Sequence, residues 1–386
     1  MNNYLTFSSA EPFTINVHNE TKNWDGTLYY STDAFANDDN EWNGELIESA
    51  EHNGEHRIYM RGSRNSVITG GGSGSRWVLE GSNIACQGNI ENLLCYETVM
   101  RGEHPVMGEE CYEYMFYNCT ALTNAPELPA KTLTKNCYAY MFQLCTSLTT
   151  APELHHATTL AKMCYLSMFR SCTGLTTAPE LPDTTLAENC YEYMFYGCES
   201  LTTAPSLEAT TLEKNCYTRM FSNCTSLTIA PELPADTLKQ ECYAYMFDGC
   251  TSLTTAPELP ATTLAKSCYN SMFYGCTGLT TAPELPATTL ERRCYYRMFY
   301  GCANIKLSTA ETEGYQLVYR IPTTGTGTTA TDALTDMFTG TGGTFTGTPE
   351  INTTYYVAWV AEEPGGTVNP PNPTAMLMGY MVGQAI

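Results

Sequence analysis

The sequence predicts an α+β fold, a small N-terminal β-sandwich followed by a solenoid of α/β repeats about 26 residues long. Three observations predict it. Cysteines recur at Cys111, Cys137, Cys164, Cys190, Cys216, Cys242, Cys268 and Cys294, 26 residues apart in six of seven intervals and 27 apart in the other. Each opens a CYxxMFxxC segment, and most copies run on into TSLTTAPELPATTL. Ahead of residue 83 the pattern is absent, and short alternating apolar runs divided by Gly, Asn, Asp and Ser clusters replace it.

Residues 1–82 alternate in runs such as Phe13, Ile15 and Val17, or Trp77 and Leu79, which is the period of strands with one buried face. Residues 83–110, with Cys86 and Cys95, read as an irregular N-terminal cap. Residues 111–307 hold the eight repeats. Within CYxxMFxxC the apolar positions 0, 1, 4, 5 and 8 predict a short amphipathic helix. Asn118, Gly197, Asn223, Gly249, Gly275 and Gly301, just before the second Cys, suit the left-handed conformation that ends a helix. The following xTAPEL stretch is extended. Pro126, Pro152 and Pro179 lack an amide hydrogen, so short strands or polyproline-like pieces are expected there. Larger helices on the opposite side predict a curved stack.

Residues 308–363 combine an insertion, at about 308–331, with a ninth, degenerate repeat. Met337, Phe338, Thr341, Phe345, Pro349, Glu350 and Ile351 echo MFxxC, Leu and PEL, as expected of an atypical terminal unit. Residues 364–386 are a Pro-rich linker and an apolar tail. Its Met376, Leu377, Met378, Tyr380 and Met381 suit insertion into a neighbouring subunit or docking on the chain's own cap.

Charge excludes whole classes of partner. The chain carries 19 Lys and Arg against 41 Asp and Glu, a net charge of −22, which repels nucleic acid and anionic lipid. No apolar run reaches the roughly 20 residues of a spanning helix, so membrane insertion is not expected. The opening MNNYLTFSSAEPF has no basic or apolar leader, so Sec export is not expected either.

The chemistry on offer is sparse. The two cysteines of a repeat lie eight residues apart, about 12 Å along a helix, which suits neither a disulfide nor a zinc site. Buried thiols are the reading. No acid, base and nucleophile cluster stands out, so neither enzymatic activity nor a cofactor is expected. His155 and His156 fill the one 27-residue unit, as a surface insertion or as a metal or pH-sensing pair. Asp38, Asp39, Glu41 and Glu45 offer oxygen ligands to Ca²⁺ without the full spacing of a calcium loop, and a solvated acidic loop competes with that reading. The PEL glutamates, Glu127, Glu153, Glu180, Glu232, Glu258 and Glu284, form a column that solvent screens or cations bridge. Helix positions the core leaves free are rich in Tyr and Arg, notably Tyr114, Tyr140, Tyr193, Tyr196, Arg219, Tyr245, Tyr274 and Arg297. These residue types dominate binding hot spots; the competing reading is that Tyr merely shields neighbouring helices.

The unit MFxGCTSLTTAPELP resembles the BspA-like leucine-rich repeat, roughly AFxxCxxLxxIxIP, over residues 111–302. It is longer than the family's usual unit, with Met for Ala and Ala-Pro where Ile is expected. More loosely, LTFSSAEPFTINV, NWDGTLYYSTD and WVLEGSNIACQGNIENLLCYETV look like the N-terminal module joined to such repeats in proteins of gut bacteria and their phages or prophages. The resemblance implies a leucine-rich-repeat-like solenoid in a non-enzymatic binding or adhesion protein. Its implied setting is a phage virion, at a tail or fibre, with a host cell-surface glycan or protein and other virion structural proteins as partners and a homo-oligomer left open. The alternatives are a bacterial cell-surface adhesin and, from another class, a glycan-active enzyme with its site in the N-terminal domain.

Overall fold

A computed structural model describes residues 4–19, 22–182 and 184–358. The described chain is mostly β, with one short α-helix. Its strands are β1 (Leu5–Ser9), β2 (Thr14–Val17), β3 (Thr27–Ser31), β4 (Asn40–Trp42), β5 (Ile47–Glu48), β6 (Ala50–His52), β7 (Glu55–Ser63), β8 (Trp77–Glu80), β9 (Ile84–Gln87), β10 (Leu122–Asn124), β11 (Lys306–Ser308), β12 (Tyr315–Arg320), β13 (Gly342–Gly343) and β14 (Thr354–Ala358), and α1 spans Asn92–Met100.

Alternation does in the N-terminal region what the sequence predicts. Leu5, Phe7, Ile15 and Val17 are buried in β1 and β2, with partly exposed polar residues between them. One sheet runs β10-β9-β1-β7-β3-β4, with β6 also on β7, and a smaller sheet runs β5-β2-β8. Trp77 of β8 reaches Phe7 of β1 and Trp42 of β4, with ring centroids 6.2 and 4.9 Å apart, so the two sheets share a core. Residues 83–110 depart from the irregular cap expected of them. β9 lies between β1 and β10, and α1 crosses β7 at Gly62, where the Leu93 carbonyl leaves no room for a Cβ.

The repeat segments are not helices. In the first repeat the amides of Glu113, Met115, Tyr117 and Cys119 close tight turns onto carbonyls three residues back, at 3.0–3.1 Å. Those of Tyr112, Tyr114, Phe116 and Asn118 donate instead to Cys137, Ala139, Met141 and Gln143 of the next repeat, at 2.8–3.0 Å. A left-handed residue at every fourth position, Glu110, Tyr114 and Asn118 here with φ of 58°, 58° and 61°, turns alternate amides outward. Each segment is thus a spiral of turns with four residues per period. Apolar positions 0, 1, 4, 5 and 8 repeat on that period as well as on 3.6, which is why the pattern reads as a helix. A left-handed conformation costs roughly 1–2 kcal/mol per non-glycine residue in a helix, and the inter-repeat hydrogen bonds and stacked rings offset it here. The predicted left-handed residues before the second Cys are found, Gly249 at φ 74° among them, though as one rung of the spiral and not as helix caps.

Repeats are therefore hydrogen-bonded side to side through these segments, and the ground for predicting a curve from bulky helices falls away. The Tyr rings that follow the first Cys stack at 5.6–5.9 Å from Tyr112 to Tyr295. The Phe rings stack at 5.4–5.8 Å from Phe116 to Phe338. Met272 and Phe273 are fully buried and Tyr274 is exposed, as the sequence assigns them. All sixteen repeat cysteines are buried free thiols. On the xTAPEL side the repeats meet through single parallel bridges such as Thr150 to Thr177 and Thr177 to Thr203, the sparse pairing that the prolines require.

Both ends of the stack are closed. Ile68 and Trp77 donate backbone hydrogen bonds to Cys111 and Met115, the same carbonyl positions that each repeat offers its predecessor. The ninth repeat holds its predicted register, with Phe299 donating to Met337 and Gly301 to Thr339, Ala333 in the first Cys place and Thr341 in the second. β12-β14-β11-β13 forms a sheet over this end. The linker and the tail residues Met376, Leu377, Met378, Tyr380 and Met381 lie outside the described residues.

Candidate functional site

The residues left free by the core line up in two adjacent columns. The first is the left-handed position before Met: Tyr114, Tyr140, Ser167, Tyr193, Arg219, Tyr245, Ser271 and Arg297, at φ 52–58°. No member is β-branched, which suits a conformation that branched side chains tolerate least. The second column follows Phe and includes Tyr117, Arg170, Tyr196, Asp248, Tyr274 and Tyr300. The eight residues singled out by sequence thus come together on one face.

Their rings do not lie open. Tyr114 and Tyr140 stack at 4.4 Å, and Tyr274 and Tyr300 at 4.8 Å. Arg219 sits between Tyr193 and Tyr245, 5.7 and 3.9 Å from their centroids, and pairs with Asp248 at 3.7 Å. Arg297 lies over Tyr296 and Tyr300 and pairs with Asp336 at 3.1 Å. The small residues between them, Ser167, Ser222 and Ser271, are buried, so the rungs close over them without a slot. A ligand on this face meets ring edges, phenol hydroxyls and guanidinium N–H groups. Arg170, which sequence reasoning did not single out, lies 4.7 Å over Tyr196 and 5.3 Å from the Tyr193 ring, with no ion pair among the described residues.

Burial shapes the acids beneath. It pushes Glu113 up to about 7, with Glu110 repelling its charge and Lys135 opposing the shift. Burial likewise raises Glu192 and Asp248, and, with the facing Tyr140, carries the Tyr114 phenol up to about 12. The face holds protons more tightly than its composition implies.

Elsewhere the predicted ligands scatter. Asp39 pairs with Arg61, Asp38 accepts from Ser31, Thr32 and Asn40, Glu41 lies in β4, and the Glu45 carbonyl accepts from Trp42. These four carboxylates do not converge on one point. The PEL glutamates are all exposed, lining open grooves between repeats such as one of about 320 Å³ bounded by Glu258, Glu284 and their prolines. One pair escaped the sequence reading because thirteen residues separate its members. His104 Nδ1 lies 2.8 Å from Oε2 of the buried Glu91, whose carboxyl burial raises, at a groove also lined by Val106 and Lys131.

Comparison with known proteins adds one match. A family model described as BspA type Leucine rich repeat region fits six copies, at residues 104–178, 166–279 and 191–313, which together cover more than half of the chain. No curated protein and no solved structure matches it.

Proposed function

The chain belongs to the BspA-type leucine-rich-repeat family, and from that premise we propose that it is a non-enzymatic binding protein that recognises a cell-surface ligand through its Tyr and Arg columns. Repeats of this type point to an extracellular or surface protein of adhesion type. Among the described residues no helix is long and apolar enough to cross a membrane. The observation that carries the site is the position of Arg170, a cation held by Tyr193 and Tyr196 and without a carboxylate partner among the described residues, on a face where phenols alternate with guanidinium and small polar groups. Edge-on hydroxyls and guanidinium donors suit a hydroxylated or acidic sugar better than ring stacking does, so a surface glycan is the favoured ligand and a protein epitope the alternative.

In this reading the N-terminal sheets form a β-sandwich and the repeats a solenoid that presents the columns. The setting is a phage virion, at a tail or fibre, supported by the likeness of the N-terminal segments to modules of that kind; a bacterial cell surface is the alternative. Antibody labelling of purified particles against whole cells separates the two. For the site, glycan-array and cell binding are measured with the full chain and with Arg170→Ala/Tyr196→Ser, at unchanged melting temperature. Loss of binding supports the face, and undiminished binding moves the site elsewhere. A glycan-active enzyme rests on Glu91 and His104 alone, and release of sugar products from the bound glycans, abolished by Glu91→Gln, is the result that replaces the binding reading.

A further inference from the structure

We propose that Glu153, His155 and His156 form a binding site for a divalent transition-metal ion such as Zn²⁺. This is the one place where the repeat takes an extra residue, with His-His standing where other copies have a single Pro or, once, Glu. The added residue makes a turn in which the Ala157 amide donates to Leu154 at 3.3 Å, and both imidazoles sit at its corners. Each Nε2 lies 3.8 Å from the same oxygen, Oε2 of Glu153, and the two rings are 4.2 Å apart. Among the described residues this is the only group of three or more His, Cys, Asp or Glu ligand atoms gathered within 4.8 Å of one another.

Packing does not account for the histidines. All three side chains are exposed, and among the described residues the other repeats pass this point without a turn and without histidine. Metal chemistry does. Two imidazole nitrogens and a carboxylate oxygen are the donor set of borderline cations, whereas Ca²⁺ and Mg²⁺ take oxygen alone. Ligand bonds of about 2.0–2.2 Å in a tetrahedron put donor atoms ~3.4 Å apart, a few tenths of an ångström from the present 3.8 Å between each imidazole and the carboxylate, with all donor atoms within 4.8 Å of one another. Exposed Glu127 and Glu180, which hold the same column in the flanking repeats, add negative potential that draws cations to the turn. The neighbouring thiols do not compete, because burial pushes Cys145 and Cys172 well above the ordinary thiol range. With three protein ligands the ion keeps open positions facing solvent, available to water or to a donor from another molecule.

The test is calorimetric titration of the full chain with Zn²⁺ after chelator treatment, alongside Co²⁺ absorption spectra. One equivalent should bind at neutral pH, weaken by about tenfold in Glu153→Gln and disappear in His155→Asn/His156→Asn, with melting of the metal-free chains unchanged. Binding should also vanish when acid protonates the imidazoles. The Co²⁺ spectrum should lack a thiolate charge-transfer band. Zn²⁺ binding that survives the double substitution, or a thiolate band in the wild type, overturns the proposal.

Discussion

Cysteine 250 shows how much one atom's neighbour matters. Spacing alone offers a hydroxyl at this position no partner, yet the thiol donates to the Phe221 carbonyl at 3.1 Å, and Cys145, Cys172, Cys198, Cys224, Cys276 and Cys302 repeat the contact one unit apart. In the first column Cys137 comes only within 4.0 Å of a carbonyl. Cys250→Ser should therefore cost less than ~1 kcal/mol and Cys137→Ser roughly 1–3 kcal/mol, measured by denaturant unfolding. Equal losses would show that the Phe carbonyls do not receive these thiols. Glu113 gives a pH test. Its carboxyl titrates near 7 folded and near 4.5 unfolded, so the native state holds the extra proton between those values and loses stability as pH rises through that window. Glu113→Gln should raise the melting temperature at pH 8 and leave it unchanged at pH 4. A gain that is equal at both values would place the effect outside titration.

At the scale of the element, a spiral with a left-handed residue at every fourth position makes a sharper demand than a helix does. Leu144 holds φ 65° where six of the other seven repeats place Gly or Asn and one places Ser171, and Gly249 holds 74° at the equivalent position. Leu144→Gly should stabilise by up to about 1 kcal/mol, and Gly249→Ala should destabilise by a similar amount. In an α-helix both would run the other way, with glycine costing about 1 kcal/mol against alanine. The spiral was legible in part. Asn136, Asn189 and Asn215 stand just before the first Cys, a second place where a residue that accepts positive φ recurs, and the position before Met is free of β-branched side chains. Two or three such places per unit, four residues apart, exclude a continuous helix. The apolar pattern alone does not, because it fixes which residues face inward and not where the amides point.

For the whole molecule, repeat length, register and the degenerate ninth unit are readable from the chain alone because identical neighbours must align Cys on Cys and Phe on Phe. The closure of the N-terminal end is not. Trp77 and Ile68 stand in for a preceding repeat without sharing its sequence, and only their backbone geometry shows it. The columns of the candidate face follow from register, but their mutual stacking, which hides the ring faces, depends on side-chain directions set by the left-handed residue at every fourth position. Removing residues 242–267, one full unit, should leave a folded chain, since Cys216 and Cys268 offer the same donors and acceptors to each other as to the lost unit. Circular dichroism and cooperative melting check it, and an unfolded product would show that the units are not interchangeable.

Because hydrogen bonds between repeats run from one unit to the next, they lie along the line joining the two ends of the stack. Tension applied at those ends pulls these bonds lengthwise, one interface after another, as a row of fasteners opens from the end that gives first. Each parted unit releases 26 residues of slack, about 90 Å when drawn out at ~3.5 Å per residue. Held at both ends in flowing liquid, such a chain lengthens in steps and so limits the peak load on whatever it grips; stretching single molecules should give a sawtooth with that increment.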